Sequence, residues 1–380
     1  MLTPVVAPHE RTQESLAAET AGLPVAPTDP DKVAVLLNRN ARRVTDALAK
    51  KLGRLVGSDN LYYSRSLEEA EAFAREIVQR GYGTVVCGGG DGTFVQAINM
   101  VQRYIDEANQ WRVQRYLRFG EKQTLLGEPR FAFLRLGTGN AIGRLVGATH
   151  PAKDLGRIVD YLPRRTQPIP LIREGDDRFF FAGIGYDSQL LNDYNWLKAH
   201  THNKLLKPIM HSVAGYFVAL FGRTIPSIMA DNKTVECRVT TVGEAYYVDP
   251  ARGDFSERLE PGSTLFEGPA SYIGAGSTPY YGYGFRIFPF ARMMPNMMQL
   301  RISNMGPFRT LANLRGLWGG THRDSKRIFD FLGTHIRVEL SRPLPFQHSG
   351  DASGERDKLD LVLDPSPLQL VDLSRARQLA

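Results

Sequence analysis

Cysteine is scarce in this chain of 380 residues: Cys87 and Cys237 are the only two, and they lie 150 positions apart. That spacing excludes a disulfide framework and makes a reducing, cytoplasmic compartment the expectation. Long apolar runs are missing too. The longest, "SVAGYFVALF" from Ser212, is about half of what a membrane-spanning helix requires. The first residues lack a basic segment followed by an apolar one, so no secretory signal is expected and 1–31 read as a loose tail. Blocks of positive charge are short (Arg42–Arg43, Arg164–Arg165, Arg323 to Arg327), which argues against a nucleic-acid partner. The net charge of +7 is a mild excess that suits an anionic partner, nucleotide or phosphorylated lipid, without choosing between them. There is no G-x-S-x-G elbow for a serine hydrolase. His200 and His202 have no acid or thiol at ligand spacing, so a solvated loop is expected there rather than a metal site.

What the chain does have, from Lys32 on, is alternation. "KVAVLLN", "NLYYS", "TVVC" and "FAFLRL" are runs of strand length. Helical spacing separates them: Val44, Ala47, Leu48, Leu52 and Leu55; then Ala70, Phe73, Ala74, Ile77 and Val78 behind a Ser66–Glu69 capping box; then Phe94, Ala97, Ile98, Val101 and Ile105. This pattern predicts a doubly wound α/β domain over 32–164 with a parallel sheet. Residues 103–130 are read as a helix end plus a surface insertion. Beyond Pro163 the grammar changes to short strands between Gly, Pro and Asp turns: "RTQPIPLI", "DRFFFAGIG", "KTVECRVTTV", "SYIGAGS", "FRIFP", "MMQLRIS", "THIRVELS" and "KLDLVLD". A mostly antiparallel β domain over 165–364 is expected, interrupted by helices near 188–199 and 205–221. Residues 365–380 are read as a tail packing back on the first domain. The open edges of a β domain leave room for a homodimer.

The chemistry concentrates in "CGGGDGT", residues 87–93, between a strand and a helix. Unpaired N–H groups and the helix dipole at such a place hold phosphate, and glycines let the backbone come close. The loop is no P-loop, for it carries a carboxylate where that motif has lysine. Asp91 beside phosphates has two sensible uses: holding Mg²⁺, or taking the proton of an attacking hydroxyl. A third use is capping the following helix. A second loop, "LRLGTGNAIG", adds Gly137, Thr138 and Asn140 at the same sheet edge, so the two make a cleft.

These residues resemble the diacylglycerol kinase catalytic-domain family, which includes sphingosine kinases and bacterial lipid kinases. "GGGDGT" with its helix to Asn99, "LGTGN", "VAVLLNRNARR", "FFFAGIGYDSQL", "YYGYGFRIFPFA" and "GDASGERDKLDLVL" stand in the family's order. The resemblance implies a two-domain kinase with ATP and Mg²⁺ in the cleft and a lipid-binding β domain, with peripheral contact to the inner face of a membrane. It implies nucleotide contacts at Asn38, Ser64, Gly88, Gly89, Gly90, Gly92, Thr93 and Thr138. Asp91 and Asp351 are its catalytic acids, Asp91 also its metal ligand, and Asp187 lies near the lipid head group. Glu355, four residues on, competes with Asp351 for the second place. Gln96, Arg135, Ala141 and Ser349 depart from the family pattern, and Pro295 and Asn296 leave an accessory metal site without carboxylates. NAD kinases share "GGDG" and are the alternative enzyme; a weakened lipid- or nucleotide-binding protein is the alternative outside enzymes. The segment "LRGLWGGTHRDSKRIFDFLG" mixes aromatics with Lys and Arg and is a candidate bilayer contact, with ordinary surface packing the other reading.

Overall fold

The apolar runs of the first half form parallel strands β1 (Asp29–Asn38), β2 (Leu61–Ser64), β3 (Tyr82–Gly89) and β4 (Arg130–Arg135). Helices α1 (Asp46–Val56), α2 (Leu67–Gln79) and α3 (Asp91–Phe119) lie between them, and α4 (Ala141–Leu145) and α5 (Pro151–Asp160) follow. The computed structural model describes residues 23–374 except 138, 161–164, 202, 204–205, 211–212, 231–233, 250–251 and 283. Thr138, His202, residues 1–22 of the expected N-terminal tail and 375–380 of the expected C-terminal one fall outside them. The Ser66 hydroxyl caps α2 by accepting from the Glu69 N–H at 3.2 Å, while Glu69 accepts from the Arg65 N–H at 2.7 Å. Residues 103–119, expected as helix plus insertion, are all helix, which ends where Gly120 turns left-handed at φ 65°.

The second half supplies β5 (Thr166–Ile169), β6 (Ile172–Glu174), β7 (Asp177–Phe179), β8 (Phe181–Gly185) and β9 (Val235–Thr241). Then come β10 (Ala245–Asp249), β11 (Asp254–Leu259), β12 (Thr264–Ala270), β13 (Tyr272–Gly276) and β14 (Met298–Ser303). The last are β15 (Ile328–Gly333), β16 (His335–His348), β17 (Asp351–Leu363) and β18 (Leu368–Val371). Between β8 and β9 run α6 (Tyr186–His200), α7 (Lys207–Met210), α8 (Val213–Ala219), a π-helical turn (Leu220–Thr224) and α9 (Ile225–Ala230). Helices α10 (Pro307–Ala312) and α11 (Leu314–Gly319) precede β15. Twelve strands pair antiparallel in the order β11-β10-β15-β14-β13-β8-β16-β17-β6-β7, with β9 on β16 and β12 on β9. The fold is therefore an α/β domain followed by an antiparallel β domain.

Three details differ from the sequence reading. "FRIFP" is no strand; its one pairing is the bridge Gly282–Phe285. "RTQPIPLI" is split between sheets. The first sheet runs β2-β1-β3-β4-β18-β5, with β18 parallel to β4 and β5 antiparallel to β18, so both of these strands leave the second half to complete the first sheet.

Reversal of strand order between β1 and β3 creates the crevice where open α/β sheets bind ligands. The domains are stapled behind it. Asn99 of α3 exchanges two hydrogen bonds with the Arg178 backbone, at 2.8 and 2.9 Å, and the Arg178 guanidinium bridges Asp106 of α3 and Asp364 at 2.7 and 2.6 Å. Phe94 stacks on Phe180 across the same junction.

Candidate active site

Gly88 and Gly89 are still strand, paired with Leu134 and Arg135, so the loop proper starts at Gly90. There the two glycine loops touch backbone to backbone. A Cβ on Gly137 would stand 2.2 Å from the Gly90 Cα, an approach only glycine permits. Asp91 opens α3 but does not cap it. Its two carboxylate oxygens accept from the Ala141 and Ile142 N–H groups at 2.9 and 3.1 Å, the free donors at the start of α4. Asn140, the residue in the cap position, is left-handed at φ 50° and turns its amide to the Gly137 carbonyl at 2.8 Å, so it cannot do this itself. The loop's carboxylate thus ties the second loop to the first, instead of capping its own helix as one reading of the sequence had it. Burial pushes the Asp91 carboxyl above its ordinary value, against the pull of these N–H groups and of Arg135.

Beside the loops, at the switch point, is a cleft of about 200 Å³. Leu67, Ala70, Ala97 and Met100 belong to its apolar wall, and Asn38, Ser64 and Thr93 are among its polar groups, with Asn40, Ser66 and Gln96. Asn38 donates to the Thr93 hydroxyl at 3.2 Å, and the buried Ser64 hydroxyl donates to the Leu37 carbonyl at 3.1 Å. Gln96, where the family has an acid, is on the rim.

The second domain brings its acid into this site through the β16–β17 hairpin. Its two turn residues, Ser349 at φ 49° and Gly350 at φ 90°, are both left-handed, the tight turn that matches strand twist. Asp351 follows and lies on Gly92, where a Cβ would be 2.5 Å from its Oδ2. Glu355 is an exposed residue further along β17, opposite Pro345. No hydrogen bond to the Asp351 carboxylate occurs among the described residues. Burial raises its pKa, and the charges of His348 and Lys198 oppose the rise.

Lys198 was not read from the sequence as part of the site. It is half-buried on α6, with its ammonium 4.4 Å from the centre of the Tyr194 ring, and Asp351 acts electrostatically on it. A sequence signal existed. Lys198 is eleven residues, three helical turns, after Asp187, and so shares its face.

Asp187 is the second residue of α6, and its carboxylate accepts from Tyr281, from the Gln347 amide at 3.1 Å and from Ser188 at 3.3 Å. Burial pushes its pKa up to about 6. Gln347 also accepts from the Gly350 N–H at 3.1 Å, so one side chain links Asp187 to the turn that carries Asp351. Asp187 stands at one end of an apolar cavity of about 180 Å³ bounded by Leu190, Leu220, Ile225, Ile287, Leu311 and Leu317. Tyr281 lies in the quoted stretch "YYGYGFRIFPFA" but was not singled out there, and Gln347 carries no motif.

The remaining candidates stay apart. His200 stacks on Trp196 and bonds its carbonyl at 2.9 Å, and no group of three metal-ligating side chains occurs among the described residues. Cys87 and Cys237 are buried and free. Pro295 and Asn296 sit in an exposed turn. In the basic–aromatic segment the rings face inward: Trp318 stacks on Phe285, Phe329 packs on Phe266 and Phe331 is buried. No described helix is long and apolar enough to cross a membrane.

Residues 32–171 match the family model for the diacylglycerol kinase catalytic domain. No curated protein matches the chain in sequence. Two solved structures from Bacillus anthracis str. Sterne share its fold, each aligned over 90% of this chain and 97% of their own. One, a diacylglycerol kinase, is 13% identical with a TM-score of 0.58; a second protein named for that activity is 15% identical with a TM-score of 0.60. The resemblance in the glycine loops is thus matched by the family model over 32–171, and the solved structures share the fold of the whole.

Proposed function

We propose that the chain is an ATP-dependent kinase acting on the hydroxyl of a lipid of the diacylglycerol or sphingoid kind. The observation that carries this reading is the meeting at Gly92. Two glycine loops of the first domain and Asp351 of the second converge there, and Gln347 connects that point to the polar end of an apolar cavity. The fold shared with two proteins named as diacylglycerol kinases supports it.

In this reading the nucleotide base lies in the cleft at Asn38, Ser64 and Thr93. Its phosphates lie along the start of α3, where N–H groups and the dipole favour anions. Asp351 takes the proton of the lipid hydroxyl as its oxygen bonds the γ-phosphorus and the bond to the bridging oxygen of ADP breaks. Lys198 faces the same point as a cation for the phosphate in flight. Asp91 keeps the loops in register. Each of its oxygens has a second lone pair, and Mg²⁺ is commonly held by one or two carboxylates plus substrate phosphates, so the residues present fit that ion. When bound, it would neutralise phosphate charge. The lipid chain occupies the apolar cavity, with Asp187, Tyr281 and Gln347 at the head group.

Transfer of labelled γ-phosphate from ATP to diacylglycerol, monoacylglycerol, ceramide and sphingoid bases in mixed micelles tests the reading, with NAD as a parallel acceptor. Label in one lipid, lost on Asp351→Asn, is the expected result. Label in NAD alone, or in no acceptor while ATP binds, overturns it.

A further inference from the structure

The inner face of the second half of α3 is fully used. Ile105 and Val113 are buried, and Asn109 exchanges two hydrogen bonds with the Leu126 backbone, at 2.7 and 3.0 Å, which hold the returning chain against the helix. The outer face is bare. Glu107, Trp111, Gln114 and Arg118 follow one another at intervals of four, three and four residues, so they form one stripe along the helix, and all four are exposed. At 3.6 residues per turn this stripe lies on the side opposite Ile105, Asn109 and Val113. Trp111 at its middle is 54% exposed.

The charges of the stripe are of both signs and uncommitted. Glu107, Gln114 and Arg118 make no hydrogen bond or ion pair among the described residues. Their neighbours are engaged: Arg103 donates to Glu71 at 2.8 Å, Arg112 to the Ala108 carbonyl at 2.8 Å, and Arg115 twice to Glu121 at 2.8 Å. A partner of a single sign, such as a nucleic acid or an acidic peptide, would gain at Arg118 and lose at Glu107. The same stripe turned end to end gains at both. About a two-fold axis between residues 112 and 113, Glu107 of each copy faces Arg118 of the other, and Trp111 faces Gln114. The two indoles are then about 4.5 Å apart along the helix axis, close enough to pack on each other. Each keeps the Arg115 guanidinium of its own chain over it, 5.0 Å from the ring centre.

We propose that the chain self-associates through this stripe, as an antiparallel α3–α3 pair between two copies. An isologous contact needs a self-complementary pattern, and the order acid, aromatic, amide, base is one. The contact belongs to the first domain, not to the open β-domain edges where the sequence reading left room for a homodimer. The stripe runs for only about 17 Å, so the dimer is of the weak class, in the micromolar range. Its two Asp91 ends point away from the axis and stand roughly 60 Å apart, which leaves both clefts open. Nothing in this pairing rests on the kinase reading.

Sedimentation equilibrium of the full chain, from micromolar to submillimolar concentration, tests the pairing without nucleotide or lipid. A monomer–dimer equilibrium that weakens with added salt is expected, because the ion pairs lie at the surface. Glu107→Arg alone and Arg118→Glu alone should each weaken it roughly tenfold or more, since either change sets like charges face to face at both ends. The two changes together should restore it, and Trp111→Ala should weaken it at every salt concentration. Unfolding midpoints of the variants, unchanged because these side chains are exposed, establish that they fold. A chain that stays monomeric at submillimolar concentration, a dimer indifferent to either charge reversal, or one that the double exchange does not mend would overturn the proposal.

Discussion

Asp351→Asn isolates the proton-transfer step because the two side chains have nearly the same shape. A positioned general base contributes about 10²–10⁴-fold to a rate, which is roughly 3–5 kcal/mol of barrier at 1.36 kcal/mol per decade. The variant should therefore lose at least about a hundredfold in kcat. Its stability should move the other way. Burial raises the Asp351 pKa above its value in water, so the charged form works against folding, and folded stability rises as pH falls through the raised value. Near neutral pH, removing that charge should leave the unfolding midpoint unchanged or higher. ATP affinity should stay the same or tighten, since an anion has gone from beside the phosphates. Calorimetric titration with ATP, a thermal melt and steady-state kinetics across pH measure these effects. The wild-type acid limb should lie above the ordinary aspartate value and disappear in the variant. Turnover within threefold of wild type, or ATP binding lost in parallel with turnover, would refute the assignment of Asp351 as base.

Asp91→Ala should behave differently: the Ala141 and Ile142 N–H groups lose their acceptor, so stability should fall by about 1–3 kcal/mol in a urea titration, together with ATP affinity. Gly137→Ala should disrupt the loops, because its Cβ meets backbone at 2.2 Å, whereas Gly90→Ala, whose Cβ would stand 3.6 Å from the nearest atom, should keep ATP binding; equal affinities in the two would contradict the packing. Asp187, with a pKa raised from 3.8 to about 6, should add at most about 3 kcal/mol of stability as pH falls from 7 through 6 to about 4, and Asp187→Asn should remove that gain in urea titrations at pH 7 and 5. Arg178→Met leaves the buried Asp364 carboxylate without its partner and should cost about 3–5 kcal/mol, read in the same way.

Periodicity made the first domain legible, because strands buried on both faces and helices with one apolar stripe follow directly from water exclusion. It failed where a strand has no neighbour nearby in sequence. Leu368–Val371 is four residues long and finds β4 more than 230 positions back, and no local pattern announces such a pairing. "FRIFP" has the alternation of a strand, but Phe288 and its neighbours are used to fill the core behind the cavity instead. For the site, glycines and acids at strand ends could be read because their chemistry is unusual for their place. Gln347 could not be read so, while Lys198 had only its helical spacing from Asp187 and Tyr281 only its place in "YYGYGFRIFPFA". Each is an ordinary residue type, two in regular elements and Tyr281 in a loop, and the packing of α6 on the β16–β17 hairpin gives them their meaning.

On the proposed function, that packing also explains how a phosphate loop can carry an acid where others carry a lysine. A lysine within the loop would neutralise phosphate, but it could not hold a second loop by its N–H groups; a carboxylate can, and Asp91 does so with both oxygens. The positive charge is then left for another element to bring. Lys198 stands on a helix of the other domain and acts on Asp351, which itself rests on the loop at Gly92. The arrangement works only if the two domains keep their distance fixed, and the Asn99–Arg178–Asp364 staple, anchored on the helix that starts at Asp91, fixes it. A single rigid helix, α3, therefore begins at the reacting end and carries the domain junction two turns later, which couples the geometry of the acid pair to the contact between the halves.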